Sequence, residues 1–227
     1  MDIEDDEEDH TFKIVLIGES GVGKTSIISQ FVDHTFNEDI QASTGGAFSS
    51  ITLSLSTGKE LKFDIWDTAG EERYRSLTKL FYKDTNAAVL VYDITRKVSF
   101  EQLKIYWINQ IREISNPNII LVIAANKTDL IEDEKVDELS ARKFAEEIDA
   151  IFCLVSAKSS VGIDDIFFQI AKKYVGNDDI EITKKDKNQV KINENEEDIP
   201  KKGKMKITAQ KSLDNSNDID NDKKKCC

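Results

Sequence analysis

Between an apolar run, Phe12–Ile17, and a helical pattern, Ser26–Phe31, the chain carries Gly18-Glu19-Ser20-Gly21-Val22-Gly23-Lys24-Thr25. Strand, glycine loop and helix in that order make G-x-x-x-x-G-K-[ST] a cradle for phosphate groups. The glycines let successive backbone N–H groups converge on phosphate oxygens, where a side chain at positive φ would obstruct them. The helix N-terminus at Thr25 and Ser26 adds unpaired donors and the positive end of its dipole. Lys24 supplies a point charge for the outer phosphates and Thr25 a hydroxyl for Mg²⁺. The same loop constrains the fold, because it needs a strand whose carboxyl end feeds directly into a helix.

A second apolar run, Ile119–Ala125, ends in Asn126-Lys127-Thr128-Asp129. The Asp129 carboxylate suits guanine, because it can accept from both the N1–H and the 2-amino group, a donor pair that adenine lacks. Asn126 can bond the N7 side of the purine and tie loops together, and the Lys127 stem can cover a ring face. A third run, Ile151–Val155, ends in Ser156-Ala157-Lys158, whose backbone can donate to the guanine O6. The phosphate loop alone leaves a kinase or an ATPase open, and Asn126 with Asp129 argues against both.

With these motifs in place, residues 11–177 resemble a Ras-like small GTPase, and details resemble its Rab branch. Phe63-Asp64-Ile65-Trp66-Asp67-Thr68-Ala69-Gly70 is similar to the family's Mg²⁺-side strand, and Arg73-Tyr74-Arg75-Ser76-Leu77-Thr78 with Phe81-Tyr82 to Rab-specific motifs. Asn116–Ile119 and Ile166–Lys173 resemble the early-endosomal Rabs. The resemblance implies an α/β fold, the P-loop NTPase G domain: a six-stranded, mostly parallel sheet with one antiparallel strand and helices on both faces. It implies GTP and GDP as ligands and GTP hydrolysis as the activity. It also implies an exchange factor, a GTPase-activating protein (GAP), a GDP-dissociation inhibitor or escort protein, and effectors as partners.

Apolar runs place strands at 12–18, 48–55, 61–67, 87–93, 119–125 and 151–155, with Thr57-Gly58-Lys59 turning the second into the third. Ser99-x-x-Gln102 reads as a capping box opening a helix whose Leu103, Trp107, Ile111 and Ile114 face the core. Further helices are expected at 139–148 and 163–175. Cys153, within an apolar strand, reads as a core residue.

The chain has 227 residues and a net charge of −12. Seven of the acidic groups lie in residues 1–10, expected to be a solvated, disordered terminus. The acidic balance argues against a nucleic-acid partner, which needs a basic stripe. Three cysteines give no disulfide framework, and the acidic N-terminus does not read as a signal peptide, so a reducing, cytosol-facing location is expected. Residues 178–227, with twelve acidic groups against twelve lysines, read as a disordered tether spanning about 40 Å. It ends in Cys226-Cys227, which is similar to the Rab double-cysteine prenylation signal. Two lipid chains give stable anchoring where one does not, and Lys223–Lys225 would add attraction to an anionic leaflet. The implied residence is the cytosolic face of an endomembrane, early-endosomal by resemblance.

The remaining site residues follow from the resemblance. Thr44, 23 residues before Asp67, corresponds to the switch threonine that reaches Mg²⁺ when a γ-phosphate is present, with Asp67 acting through the ion's outer shell. Gly70 would follow the γ-phosphate with its N–H, and Phe36 would lie across the guanine. Phe48, Trp66 and Phe81 match the aromatic surface that effectors read. Two departures stand out. Rabs usually continue the switch threonine with Ile-Gly, whereas this chain has Thr44-Gly45-Gly46-Ala47-Phe48, which removes an apolar effector contact. Glu71 stands where the family places the glutamine that orients the attacking water. An ionised glutamate only accepts hydrogen bonds and brings negative charge toward a polyanion, so slow intrinsic hydrolysis is expected.

Overall fold

Val15 and Ile17 point to one face of the first strand while Ile14 and Leu16 point to the other, and all four are fully buried. A strand buried on both faces must lie inside a covered sheet. In the computed structural model, which describes residues 11–39, 47–68 and 81–185, that strand is β1 (Phe12–Ile17) at the centre of seven. The others are β2 (Ala47–Leu55), β3 (Glu60–Asp67), β4 (Ala87–Asp93), β5 (Ile120–Asn126), β6 (Ile151–Leu154) and β7 (Ile182–Lys184). Their order is β6-β5-β4-β1-β3-β2-β7. β6, β5, β4, β1 and β3 run parallel, β2 pairs antiparallel with β3, and β7 pairs antiparallel with β2.

Helices α1 (Lys24–Asp33) and α4 (Ile163–Val175) cover the face that holds Ile14 and Leu16. Phe31 and Phe167 stack there with centroids 3.7 Å apart. The opposite face lies under α2 (97–114) and α3 (Glu138–Glu147), with Leu103, Trp107 and Ile111 fully buried. α2 runs from Lys97–Gln102 through a π-helical turn, Leu103–Trp107, into Ile108–Ile114. Cys153 is buried as expected, and burial, with the nearby Asp165 charge, pushes its thiol up to about 12.

Two expectations are corrected. α2 starts at Lys97, so Ser99 does not cap it: the Ser99 hydroxyl accepts from Asp93 N–H (3.1 Å) and reaches the Arg96 carbonyl (2.7 Å). The sheet also has a seventh strand and a second antiparallel pairing, which come from the segment read as the start of the tether. Residues 178–185 are folded: Ile180 is buried, and Leu53, Ser54 and Leu55 pair with Lys184, Thr183 and Ile182. The readings of residues 1–10 and 186–227 lie outside the described residues. Among the described residues, no helix is long and apolar enough to cross a membrane.

Candidate nucleotide site

β1 lies between β4 and β3, so the connections leave it in opposite directions, and a crevice opens at the carboxyl ends of the strands. Lys24, Asp67, Asp93, Asn126 and Ser156 gather at those ends, and all are buried. Buried polar side chains need partners. These partners are mostly one another's loops.

Gly18 follows β1 at φ 145°, and a Cβ there would lie 2.3 Å from the Val91 carbonyl oxygen. The loop then closes on Lys24, whose Nζ donates to the carbonyls of Gly18 and Glu19, each at 3.0 Å. Burial pushes the Lys24 ammonium down to about 8 against the pull of Asp67 and Glu19, so the pocket lacks enough negative charge to settle it. A polyphosphate would supply that charge. Gly23 caps α1 in the left-handed region, leaving the first helical N–H groups directed at the crevice.

Thr25 and Asp67 meet where α1 begins and β3 ends: Thr25 Oγ1 donates to Asp67 Oδ2 at 2.6 Å. Two hard oxygen donors beside a phosphate cradle fit Mg²⁺, which binds through one or two protein oxygens together with substrate phosphates. Among the described residues no cluster of three or more His, Cys, Asp or Glu forms a protein-only metal cage.

The base-reading loops are joined to the phosphate loop. Asn126 Nδ2 donates to the Val22 carbonyl at 2.8 Å, and its Oδ1 accepts from Ala157 N–H at 3.2 Å. The approach is so close that a Cβ on Gly23 would fall 2.3 Å from Asn126 Nδ2. Ser156 Oγ donates to Asp129 Oδ1 at 2.6 Å and orients that carboxylate. Lys127 adopts φ 71°, and its Nζ pairs with buried Asp93 at 2.7 Å. Lys158 meets Glu38 at 2.6 Å, which ties the segment carrying Phe36 to the Ser-Ala-Lys loop. Phe36 itself is 37 % exposed and belongs to neither core cluster.

Phe48 and Trp66 are register partners with ring centroids 5.1 Å apart, and Phe81 lies 5.4 Å beyond Trp66. Trp66 also packs on the core below, while Phe48 is 51 % exposed. Thr44, Gly70 and Glu71, with Gly45 and Gly46, lie outside the described residues, as do Cys226 and Cys227.

Asp93, Thr95 and Arg96 were not picked out from the sequence as site residues, and Trp107 was read there only as core. Asp93, at the end of β4, holds Lys127 and accepts from Thr95 through both its N–H (2.9 Å) and its hydroxyl (2.7 Å). Trp107 Nε1 donates to Glu19 Oε1 at 3.2 Å, linking the π-helical turn to the phosphate loop. Arg96 Nη1 donates to the Ser20 carbonyl at 2.8 Å. An aspartate closing an apolar run was the signal available for Asp93; Trp107 read as core, which it also is.

A family model for the Ras family matches residues 13–176. The chain belongs to the Ras family. It is 41% identical over 167 residues to the Ras-related protein Rab-22A of Homo sapiens, covering 73% of this chain and 84% of that protein. Over 161 residues it is 41% identical to the Ras-related protein RABF2a of Arabidopsis thaliana, and 42% identical to the Ras-related protein Rab5 of Nicotiana tabacum. Each of those alignments covers 71% of this chain and 80% of the relative. Within the Ras family it is a Rab-type small GTPase. Ras-family GTPases bind GTP and GDP, generally with Mg²⁺, and Rab GTPases act through exchange factors, GAPs and effectors.

Proposed function

We propose that this Rab-type GTPase is a membrane-anchored switch of endosomal trafficking whose intrinsic hydrolysis is slow. The observation that supports the nucleotide assignment is the hydrogen bond from Asn126 to Val22, because it joins the Asn126–Asp129 loop to the Gly18–Thr25 loop. In this reading Gly18–Lys24 hold the phosphates through backbone N–H groups and the Lys24 ammonium, with Thr25 and Ser26 at the helix end. Asn126, Lys127, Asp129 and Ser156–Lys158 hold the guanine, with Phe36 across its face. Thr25 and Thr44 would hold Mg²⁺ directly and Asp67 through a water; the ion would neutralise charge on the phosphates. Gly70 would sense the γ-phosphate, so its loss releases Thr44 and Gly70 together.

Glu71 can accept a hydrogen bond from the attacking water but cannot donate to the γ-phosphate. Glu71→Gln should therefore raise single-turnover GTP hydrolysis by roughly 10²- to 10³-fold, the range for one positioned hydrogen-bond donor. A GAP that supplies arginine and glutamine in trans would rescue the wild type. A second reading, a largely GTP-held effector platform, is favoured by Glu71 alone and predicts a wild type that stays slow with such a GAP. Equal rates for wild type and Glu71→Gln would remove Glu71 from the account.

Phe48, Trp66 and Phe81 are the proposed effector surface. The folded domain carries an acidic N-terminus and a polar tail whose Cys226 and Cys227 take two prenyl groups, with escort protein and dissociation inhibitor as carriers. Resemblance to the early-endosomal Rabs, and likeness to Rab5 and Rab-22A proteins, supports an endosomal membrane with cycling through the cytosol.

A further inference from the structure

The peptide units of the phosphate loop are held by their carbonyls, and one of the holders lies outside every nucleotide-binding motif. The described residues contain no cis peptide bond. In a trans unit the C=O and the following N–H point in opposite directions, so a side chain that fixes the carbonyl also aims the N–H. Lys24 fixes the carbonyls of Gly18 and Glu19, and Asn126 fixes that of Val22. Between them lies the Ser20–Gly21 unit. No side chain on Gly21, which sits at φ 75°, restrains its rotation. Its carbonyl accepts from Arg96 Nη1 at 2.8 Å, and a Cβ on Gly21 would lie 3.5 Å from that nitrogen. Arg96 is itself anchored: its N–H donates to the Asp93 carbonyl at 3.0 Å, and its carbonyl accepts from Ser99 N–H and Ser99 Oγ.

We propose that Arg96 is a positioning residue for the nucleotide, holding the Ser20 carbonyl outward so that Gly21 N–H is aimed at the phosphates. The inference rests on the guanine-nucleotide reading of this site. Arg96 acts through the loop, and its guanidinium also lowers the cost of gathering a polyanion there.

The test uses the full chain loaded with Mg·GDP, comparing wild type, Arg96→Met and Arg96→Lys. The Gly21 amide resonance, the β-phosphorus resonance and the GDP release rate are read together. Arg96→Met keeps the stem and loses the donor. It is expected to move the Gly21 amide upfield, shift the β-phosphorus signal and speed release about tenfold, the worth of one charge-assisted hydrogen bond. Arg96→Lys, with its charge and a donor, is expected to restore part of each. An Arg96→Met protein with wild-type resonances overturns the inference whether or not release is faster, because charge alone would then account for any change. A wild type that does not bind Mg·GDP overturns the nucleotide reading as well, which separates the two failures.

Discussion

Asp129 has one carboxylate oxygen tied to Ser156 Oγ at 2.6 Å, while none of the described residues hydrogen-bonds the other. It can therefore meet a pair of donors without rearranging. Asp129→Asn puts a donor where the guanine 2-amino group needs an acceptor. Two hydrogen bonds to a charged group are worth about 3–6 kcal/mol, so GTP affinity should fall about 10²- to 10⁴-fold. Xanthine carries a carbonyl in place of that amino group and should bind the variant better than the wild type; competition between GTP and XTP checks both. A buried thiol gives a second prediction at this scale. With its pKa raised from 9.0 to about 12, Cys153 favours the folded state fully below pH 9 and loses that contribution as the pH rises toward 12. In a chain carrying Cys226→Ser and Cys227→Ser, iodoacetamide at pH 8 should leave Cys153 unmodified until the protein unfolds. Rapid labelling of the native protein would contradict its burial. The residues that carry chemistry were legible in sequence where a motif fixes several of them at once, as in Gly18–Thr25 and Asn126–Asp129. Asp93 and Arg96 were not, because their partners Lys127 and Ser20 are brought to them only by the pairing of β4 with β5 and β1.

β7 shows what local pattern does not disclose. Ile180 and Ile182 alternate as a strand requires, yet they stand among acidic residues and lysines that read as solvated chain. Ile182 is held in the sheet only by the open edge of β2, more than 120 residues earlier in the chain. Lys184 secures the strand. Its Nζ donates to the Phe31 carbonyl at 2.8 Å, pairs with Asp164 at 2.6 Å and lies 4.3 Å from the centre of the Phe31 ring, with 15 % of the side chain exposed. The next lysine, Lys185, pairs with Glu60 at a surface where both side chains are about half exposed, and such pairs contribute little. Lys184→Ala should therefore cost about 1–3 kcal/mol, since it leaves the part-buried Phe31 carbonyl without its donor, while Asp164, about half exposed, can turn to water. Lys185→Ala should be near neutral. Ser56 N–H donates to Glu181 and Lys185 N–H to Thr52, so hydrogen exchange at those two amides should quicken in Lys184→Ala. Leu55 N–H, which donates across the hairpin to Lys59, should keep its protection. Equal effects of the two substitutions would contradict the latch.

At the scale of the whole molecule, the alternation of apolar runs with helical stretches was enough to place five parallel strands and helices on both faces, because strands buried on two sides leave long apolar runs. The arrangement concentrates buried polar groups at one end of the sheet, where the phosphate loop, the Asp67 turn and the guanine loops converge. The central claim is that this convergence reads guanine and phosphate together. Displacement of a fluorescent GDP from the full chain in Mg²⁺ tests it most directly, with unlabelled GTP, GDP and ATP as competitors. The account predicts displacement by GTP and GDP, with ATP weaker by at least about 10³-fold, the discrimination expected when paired buried donors and acceptors go unmatched. Displacement by ATP at the same concentrations as GTP would contradict it.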